Sequence, residues 1–562
     1  MLAAMKGIPT TFWGKLERDD AGAVTGWHPL LAHCADVAAC AEAILEHTLI
    51  RRRLAALGGR EDLEAADVAR LSALAALHDI GKFNLGFQRK GDAEPRDTAG
   101  HVSEVLFLFG SEYPEEERLL TALPTEEILS WAPDGAACQL LTASIGHHGR
   151  PVAWGHASGL SSIDSTLWKA QRGLDPLAGI ASLTACTRVW FPLAFSEGRD
   201  PLPATPAFQH GFAGLVMLAD WLGSDRHAEL FPFADDLGDR MPFARGRARR
   251  AVEQMGLATH GARSALGAER PGFDRVSPHP PRDAQAKTMI LPDDTCGSLT
   301  VLESETGSGK TEAALVRFVR LFHAGLVDGM TFALPTRTAA TQLHRRVVDA
   351  MKLAFPSDAT RPVVVLAVPG YLQFDDVTGR RLPGFEVLWN DDKHAATRHR
   401  GWAAEQPKRF LAGCVVVGTI DQVLLSSLRV GHAHLRATSL LRHLLVVDEV
   451  HASDAYMNRI LEEVLAFHLD AGGHAFLMSA TLGASVRRDQ SSAGIGRPRP
   501  PCNRQEAGDG RQPEHAPIRA GARHRRGSEG HQGADGRSDG RLRELASGLS
   551  FSGLRSRSAV RH

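Results

Sequence analysis

Over the first 255 residues the apolar positions fall at helical spacing. In PLLAHCADVAACAEAIL, Leu30, Cys34, Val37, Ala41 and Ile44 recur every three or four residues, so a helix is expected with His33 riding on it. AADVARLSALAALHDIGK predicts a second helix, with His78 and Asp79 at its C-terminal end and a break at Gly81. LLTASIGHHG closes a third with His147 and His148 ahead of Gly149, and GFAGLVMLADWLGSD places Asp220 inside a fourth.

From residue 284 the pattern becomes strand, loop, helix. LTVLE, TFALP, CVVVGT, HLLVV and AFLMS are short apolar runs of the kind that form buried parallel strands. The Pro-rich stretch ahead of them, RPGFDRVSPHPPRDAQ, reads as a linker. After residue 482 the periodicity stops. Residues 483–562 hold 16 Arg and 13 Gly, no Lys, Trp, Tyr or Met, and only nine Val, Ile, Leu or Phe. That is too little apolar surface to offset chain entropy. The pattern therefore predicts an all-helical domain at 1–255, a linker at 256–283, an α/β domain with a parallel sheet at 284–482, and a disordered Arg/Gly-rich tail. Two origins of the tail compete: a natural basic extension that contacts nucleic acid, or translation out of frame in a GC-rich gene. The abrupt failure of pattern favours the second, near residues 483–495.

A chain of 562 residues suggests roughly three to four domains. Its 43% hydrophobic and 23% charged residues fit a soluble globular protein. The formal charge of −1 means that any nucleic-acid contact comes from a local patch. No apolar run approaches the ~18 residues of a membrane span, and MLAAMKGIPTTFWGK lacks the apolar core of a secretory signal. Seven Cys without a CxxC pair argue against a disulfide scaffold and a thiolate zinc site. A reducing cytoplasm is the expected compartment.

The candidate chemistry of the helical half lies in its His and Asp residues. Imidazole and carboxylate together suit Fe, Mn, Ni, Co or Zn. A carboxylate such as Asp220 on an apolar helix is costly unless paired or metal-bound. The ordered set His33, His78-Asp79, His101, His147-His148 and Asp220 resembles the HD phosphohydrolase superfamily, an all-helical metal-dependent fold. The resemblance implies that His33, His78, Asp79 and Asp220 hold a first metal and that His101, His147 and His148 hold a second. Two such ions activate a bridging water and clamp a phosphodiester. Lys82 is expected to neutralise the scissile phosphate.

In the α/β half, Thr306-Gly307-Ser308-Gly309-Lys310-Thr311 follows a β-rich run and opens an amphipathic helix. This is the phosphate-binding end of a Walker A loop, with Ser304 where the strict motif has Gly. Its backbone N–H groups approach phosphates, Lys310 reaches the β and γ phosphates of ATP, and Thr311 ligates Mg²⁺. Asp448-Glu449-Val450-His451 ends an apolar strand as a DExH box, with Asp448 toward Mg²⁺ and Glu449 orienting the attacking water. Ser479-Ala480-Thr481 resembles helicase motif III. Residues 335–337 (PTR) and 418–419 (GT) look like motifs Ia and Ib, which hold the phosphate backbone of one strand. Gln285 sits where an adenine-reading Gln is expected. The order of these motifs resembles the first RecA-like domain of a superfamily-two helicase.

The combination, with GTIDQVLL, DEVHASDAYM and HDIGKFNLGFQ, resembles the CRISPR-associated nuclease-helicases of type I interference systems. That resemblance implies recruitment by a Cascade complex, nicking of the single-stranded DNA of an R-loop at the HD site, and ATP-driven translocation with degradation. Nothing after Thr481 resembles the family's second RecA-like domain, which supplies the arginine finger, and losing that finger typically costs about 10³–10⁵ in rate. The expectation is a surviving metal-dependent nuclease with translocation lost. Two other readings stand beside it: an inactive fragment that binds nucleotide, DNA or Cascade, and an HD phosphohydrolase acting on a small nucleotide.

Overall fold

A computed structural model describes residues 11–109, 116–150, 152, 166–225, 230–234, 238–381, 387–390, 399–449 and 455–479. Its first half is helical, as the periodicity implies, but begins with an antiparallel ribbon of β1 (Trp13–Arg18) and β2 (Val24–Pro29). The Asp19 carboxylate accepts from the N–H groups of Ala21 and Ala23 and so shapes the ribbon's turn. Pro29 at the end of β2 leads directly into the Leu30–His47 helix.

That helix is the axis of the first half. The helices Ala65–Ala76, Pro206–Gly223 and Met241–Gln254 pack around it. Its small residues Ala32, Ala35, Ala38, Ala39 and Ala41 are all buried, and their size lets the neighbours approach closely. Each fully buried large side chain along it, such as Ile44, contributes about 1.5–3 kcal/mol by leaving water. Pro206 and the Thr205 hydroxyl, which accepts from Phe208 N–H, start the helix that carries Asp220.

The second half is a nine-stranded sheet. Its strands are β3 (Ser298–Glu303), β4 (Gly329–Leu334), β5 (Val364–Ala367), β6 (Gln373–Phe374), β7 (Val377–Arg381), β8 (Val387–Trp389), β9 (Val415–Thr419), β10 (His443–Val447) and β11 (His474–Ser479). The order is β3-β11-β10-β4-β9-β5-β6-β7-β8, and the first six are parallel. Strands β4, β9, β10 and β11 are buried throughout, because helices cover both faces. The antiparallel β6–β8 extension is a feature the apolar pattern did not announce.

The segment 256–283 packs on the second half. Leu266, Phe273 and Val276 enter that half's core, and Arg263 pairs with Asp328 at 3.1 Å. The two halves also share one core: Trp389, Trp402 and Phe410 join the same buried cluster as Ile44 and Leu215. Arg53 of the first half donates to the carbonyls of Leu326 (2.6 Å) and Gly472 in the second. No helix among the described residues is long and apolar enough to cross a membrane. The expected tail lies outside the described residues.

Candidate metal centre and nucleotide loop

His33 faces inward from the Leu30–His47 helix. The Ala65–Ala76 helix stops two residues before His78, so His78 and Asp79 stand in the turn after it and lead into a 3₁₀ turn at Ile80–Phe83. His147 and His148 likewise follow the Ala136–Ile145 helix and its Gly146 cap. Helix ends suit this task, because a turn can aim adjacent side chains that a continuous helix would splay by about 100°.

The imidazoles are oriented by the backbone. His78 Nδ1 lies 2.8 Å from the Ala75 carbonyl and His147 Nδ1 lies 3.1 Å from that of Ser144. Each carbonyl fixes the tautomer that leaves Nε2 free to accept a cation. Gly81 has a specific role: a Cβ there would overlap the carbonyl of His101. The close approach brings the His101 segment beside Asp79, and Asn84 Nδ2 locks it by donating to the carbonyls of Gly81 and Gly100.

All seven expected ligands converge. Asp79 Oδ2 lies 3.1 Å from His33 Nε2 and 3.2 Å from His78 Nε2. Its other oxygen, Oδ1, lies 3.4 Å from His101 Nε2 and 3.6 Å from His147 Nε2. His101 and His148 meet through Nε2 atoms 2.8 Å apart. Asp220 Oδ1 lies 3.7 Å from His33 Nε2 and 4.0 Å from His78 Nε2. Two three-residue groups with metal-ligand spacing result: His33, His78, Asp79 and His101, His147, His148.

The electrostatics favour cation binding. Burial raises the Asp79 carboxyl, but the Lys82 ammonium and the facing imidazoles outweigh it and hold it well below the usual range. Burial also raises Asp220, and Lys15 with His147, His78 and His33 reverses that. Burial pushes His101 and His147 down to about 3 and lowers His33 and His148, so these four imidazoles are neutral at pH 7. Both His33 nitrogens, His78 Nε2 and both Asp79 oxygens are buried without a hydrogen bond of good geometry. Unsatisfied groups of this kind each cost about 1–3 kcal/mol. The donor set fits divalent metals.

Lys82 is buried. Its ammonium lies 2.5 Å from Asp79 Oδ2 and donates to the Gly14 carbonyl at 3.1 Å. Several supports had no signal in the sequence. Ser224 donates to Asp220 Oδ1 at 2.8 Å. Gln88 ties Trp13 to Lys82 by donating to both carbonyls. Lys15 approaches Asp220 Oδ1 to 3.9 Å.

In the second half, the loop 304–309 links β3 to the Lys310–His323 helix. Gly307 (φ +80°) and Gly309 (φ +88°) take the left-handed conformation that turns backbone N–H groups toward a phosphate. Lys310 Nζ donates to the Ser304 carbonyl at 3.0 Å and lies 3.9 Å from Glu449 Oε1; Thr311 is the next residue of the helix. Thr306 is exposed on the loop, and the Ser308 hydroxyl is buried without a hydrogen-bond partner. Gln285 packs against this loop. Its Nε2 donates to the Gly309 carbonyl at 3.0 Å and its Oε1 accepts from Arg282 N–H at 2.8 Å. Asp448 and Glu449 leave the end of β10, where Glu449 has φ +52°. Thr336 caps the Arg337–Ala354 helix, and Arg337 donates to the Pro369 carbonyl. His451, Ala480 and Thr481 of the expected motifs lie outside the described residues.

Residues 13–228 match the family model described as Cas3, HD domain. The chain is 29% identical over 517 residues to the CRISPR-associated endonuclease/helicase Cas3 of Escherichia coli K12, covering 84% of this chain and 54% of that protein. It is also 29% identical over 495 residues to the protein of that name from Thermus thermophilus, covering 82% and 49%. Among solved structures, T. fusca Cas3 matches with a TM-score of 0.61 at 24% identity, over 87% of this chain and 52% of that one. A chain of a CRISPR RNA-guided surveillance complex in a pre-nicking state matches with a TM-score of 0.51 at 23% identity, over 86% and 49%. The chain thus spans about half the length of the curated relatives it matches. The resemblance read from the motifs holds, and so does the fold class: a helical HD domain followed by an α/β domain whose mixed sheet has a six-stranded parallel part.

Proposed function

We propose that this chain is the HD and first RecA-like portion of a type I CRISPR nuclease-helicase, and that it cuts single-stranded DNA at a two-metal centre. The observation that carries the reading is the division of Asp79: one carboxylate oxygen faces His33 and His78, the other faces His101 and His147. A carboxylate shared in this way suits two ions held a few ångströms apart, the arrangement for in-line displacement at phosphorus. Fe, Mn, Ni or Co fit the N/O donor set.

The residues divide the work. His33, His78, Asp79 and Asp220 form one half of the metal cradle, and His101, His147 and His148 form the other. Bound there, divalent metal would lower the pKa of a water and neutralise phosphodiester charge. Lys82 orients Asp79, and Ser224 orients Asp220. In the second half, Lys310 and the N–H groups of 306–311 would cradle ATP phosphates, with Thr311 and Asp448 placed for Mg²⁺ and Glu449 for the attacking water. Residues 335–337 and 418–419 would hold the backbone of one DNA strand without reading its sequence. The surveillance-complex match supports a Cascade partner, and a cytoplasmic site of action fits that partner.

The test is metal-dependent nicking of circular single-stranded DNA by the full chain, with His78→Ala and Asp79→Ala beside it. Loss of cutting in both variants is expected, and unchanged cutting in either removes the HD site from the mechanism. Phosphate release from mononucleotides in place of nicking would instead favour the small-nucleotide reading. Folded protein that binds DNA but cuts nothing with any of the four metals would favour the inactive fragment.

A further inference from the structure

The metal centre has a closed wall and an open mouth. His33, His78, Asp79, Lys82 and His147 form the wall, all buried. His101 and Asp220 have side chains 14% and 15% exposed, and His148 is exposed, so substrate enters on their side. Lys82 is buried and already engaged: its ammonium is taken up by Asp79 and the Gly14 carbonyl. A side-chain cation for a phosphate at the mouth would therefore come from another residue.

The ribbon supplies one. Strand β1 pairs Trp13 with Pro29 and Lys15 with His28, so Gly14 is an extra residue in the ladder. Such a bulge bends the strand and re-aims the next side chain. Gly14 also lies flush on the Leu30–His47 helix: a Cβ there would press on the His33 side chain and the Leu30 backbone. Gln88 clamps the bulge from the other side, accepting from Trp13 N–H at 3.0 Å and donating to the Trp13 carbonyl at 3.1 Å. Lys15 is the residue this device aims. Its ammonium stands 3.9 Å from Asp220 Oδ1, beyond a normal hydrogen bond, and its side chain remains 34% exposed.

We propose that Lys15, rather than Lys82, is the residue that binds the phosphate of the strand at the metal centre, while Lys82 is a positioning residue for Asp79. This rests on the nuclease reading above and assigns its substrate contact. A lysine suits the task as a compact point charge that can leave Asp220 for a phosphate oxygen.

The experiment uses the full chain loaded with Mn²⁺, as wild type, Lys15→Gln, Lys15→Arg and Lys82→Gln. Metal content is measured in each. Binding of a phosphorothioate oligothymidylate is followed over a salt series, and nicking of circular single-stranded DNA over a concentration series. Lys15→Gln should keep its metal content, weaken oligonucleotide binding about 10- to 100-fold, and flatten the slope of log K against log[salt] by about 0.7, the loss of one phosphate contact on a single strand. Nicking should then show a raised KM, and Lys15→Arg should restore much of it. Lys82→Gln should lower metal content instead. An unchanged salt slope in Lys15→Gln overturns the proposal. So does a fall in metal content with binding unaltered, which would make Lys15 a support for Asp220. If wild type binds the oligonucleotide but cuts nothing, the nuclease reading fails while the slope still decides Lys15. If wild type shows no metal-dependent binding, Lys15 has no such role.

Discussion

The backbone N–H of His432 donates to the carbonyl of Gly149 at 2.9 Å. The turn that presents His147 and His148 therefore leans on the second half of the molecule. His432, itself at φ +64°, caps the Ala433–Leu440 helix, and Thr438 of that helix donates to the Gly211 carbonyl at 2.9 Å. Gly211 and Asp220 share one helix. Two of the elements that carry candidate metal ligands thus rest on the polypeptide between β9 and β10, the stretch that joins the expected strand-contacting motif to the expected Mg²⁺ site.

Gly149→Ala should be more damaging than an ordinary glycine substitution. Its φ of +87° alone costs a side chain about 1–2 kcal/mol, and the new Cβ would overlap the His432 ring. Gly59→Ala, at φ +75° with open space around it, bears the first cost only. Urea denaturation of both variants should show the larger loss at Gly149. Equal losses would mean that the His432 contact contributes nothing.

Asp79 and His101 should differ in metal stoichiometry. Asp79 faces both groups of ligands, whereas His101 belongs to one. Asp79→Asn should therefore strip most metal from the chain. His101→Ala should remove about one ion of about two, as expected of a two-metal centre. Elemental analysis after dialysis reads the difference. Identical losses would argue for a single ion.

Gln285→Ala should weaken ATP and GTP alike, about tenfold. Both polar atoms of its amide are engaged, one by the Gly309 carbonyl and one by Arg282 N–H, so its removal loosens the phosphate loop. Fluorescence titration with both nucleotides checks this. A selective loss of ATP would instead restore the adenine-reading role expected from the sequence.

Acid should unfold this chain from about pH 6.5 downward, apart from any metal effect. Burial holds His468 down to about 4 and His474 to about 3. Below pH 6.5 the unfolded chain takes up protons that these buried rings refuse. Stability is thus full above about pH 6.5 and falls as pH drops toward 4, by about 1.4 kcal/mol per pH unit for each ring. In His468→Gln the slope of denaturation free energy against pH should be shallower by one such proton. An unaltered slope would mean that His468 is already charged or already exposed.

The sequence was legible where chemistry and period coincide. His33, His78, Asp79, His147, His148 and Asp220 stand out because polar side chains interrupt or end apolar helical runs, and the glycines of 307–309 stand between a strand and a helix. His101 carried little local signal; the close approach at Gly81 places it. Lys15 was not legible, because one inserted residue in a short ribbon re-aims it and no spacing records a bulge. The β6–β8 extension escaped for a similar reason: QF and VTGRR are too short and too polar to show alternation. Helix ends also fell one or two residues early, since turns, not helices, carry His78 and His147.

The core that runs unbroken from Ile44 and Leu215 to Trp389 and Trp402 has a consequence for how the molecule comes apart. A chain whose halves merely touched could melt in two steps, and a protease could free each half intact. Here, among the described residues, the two terminal nitrogens of Arg53 donate to carbonyls of the other half. Severing the chain near residue 255 would bare apolar surface on both pieces and strand a guanidinium in the gap. The halves differ in chemistry and in sequence pattern, yet the shared core predicts that they unfold together.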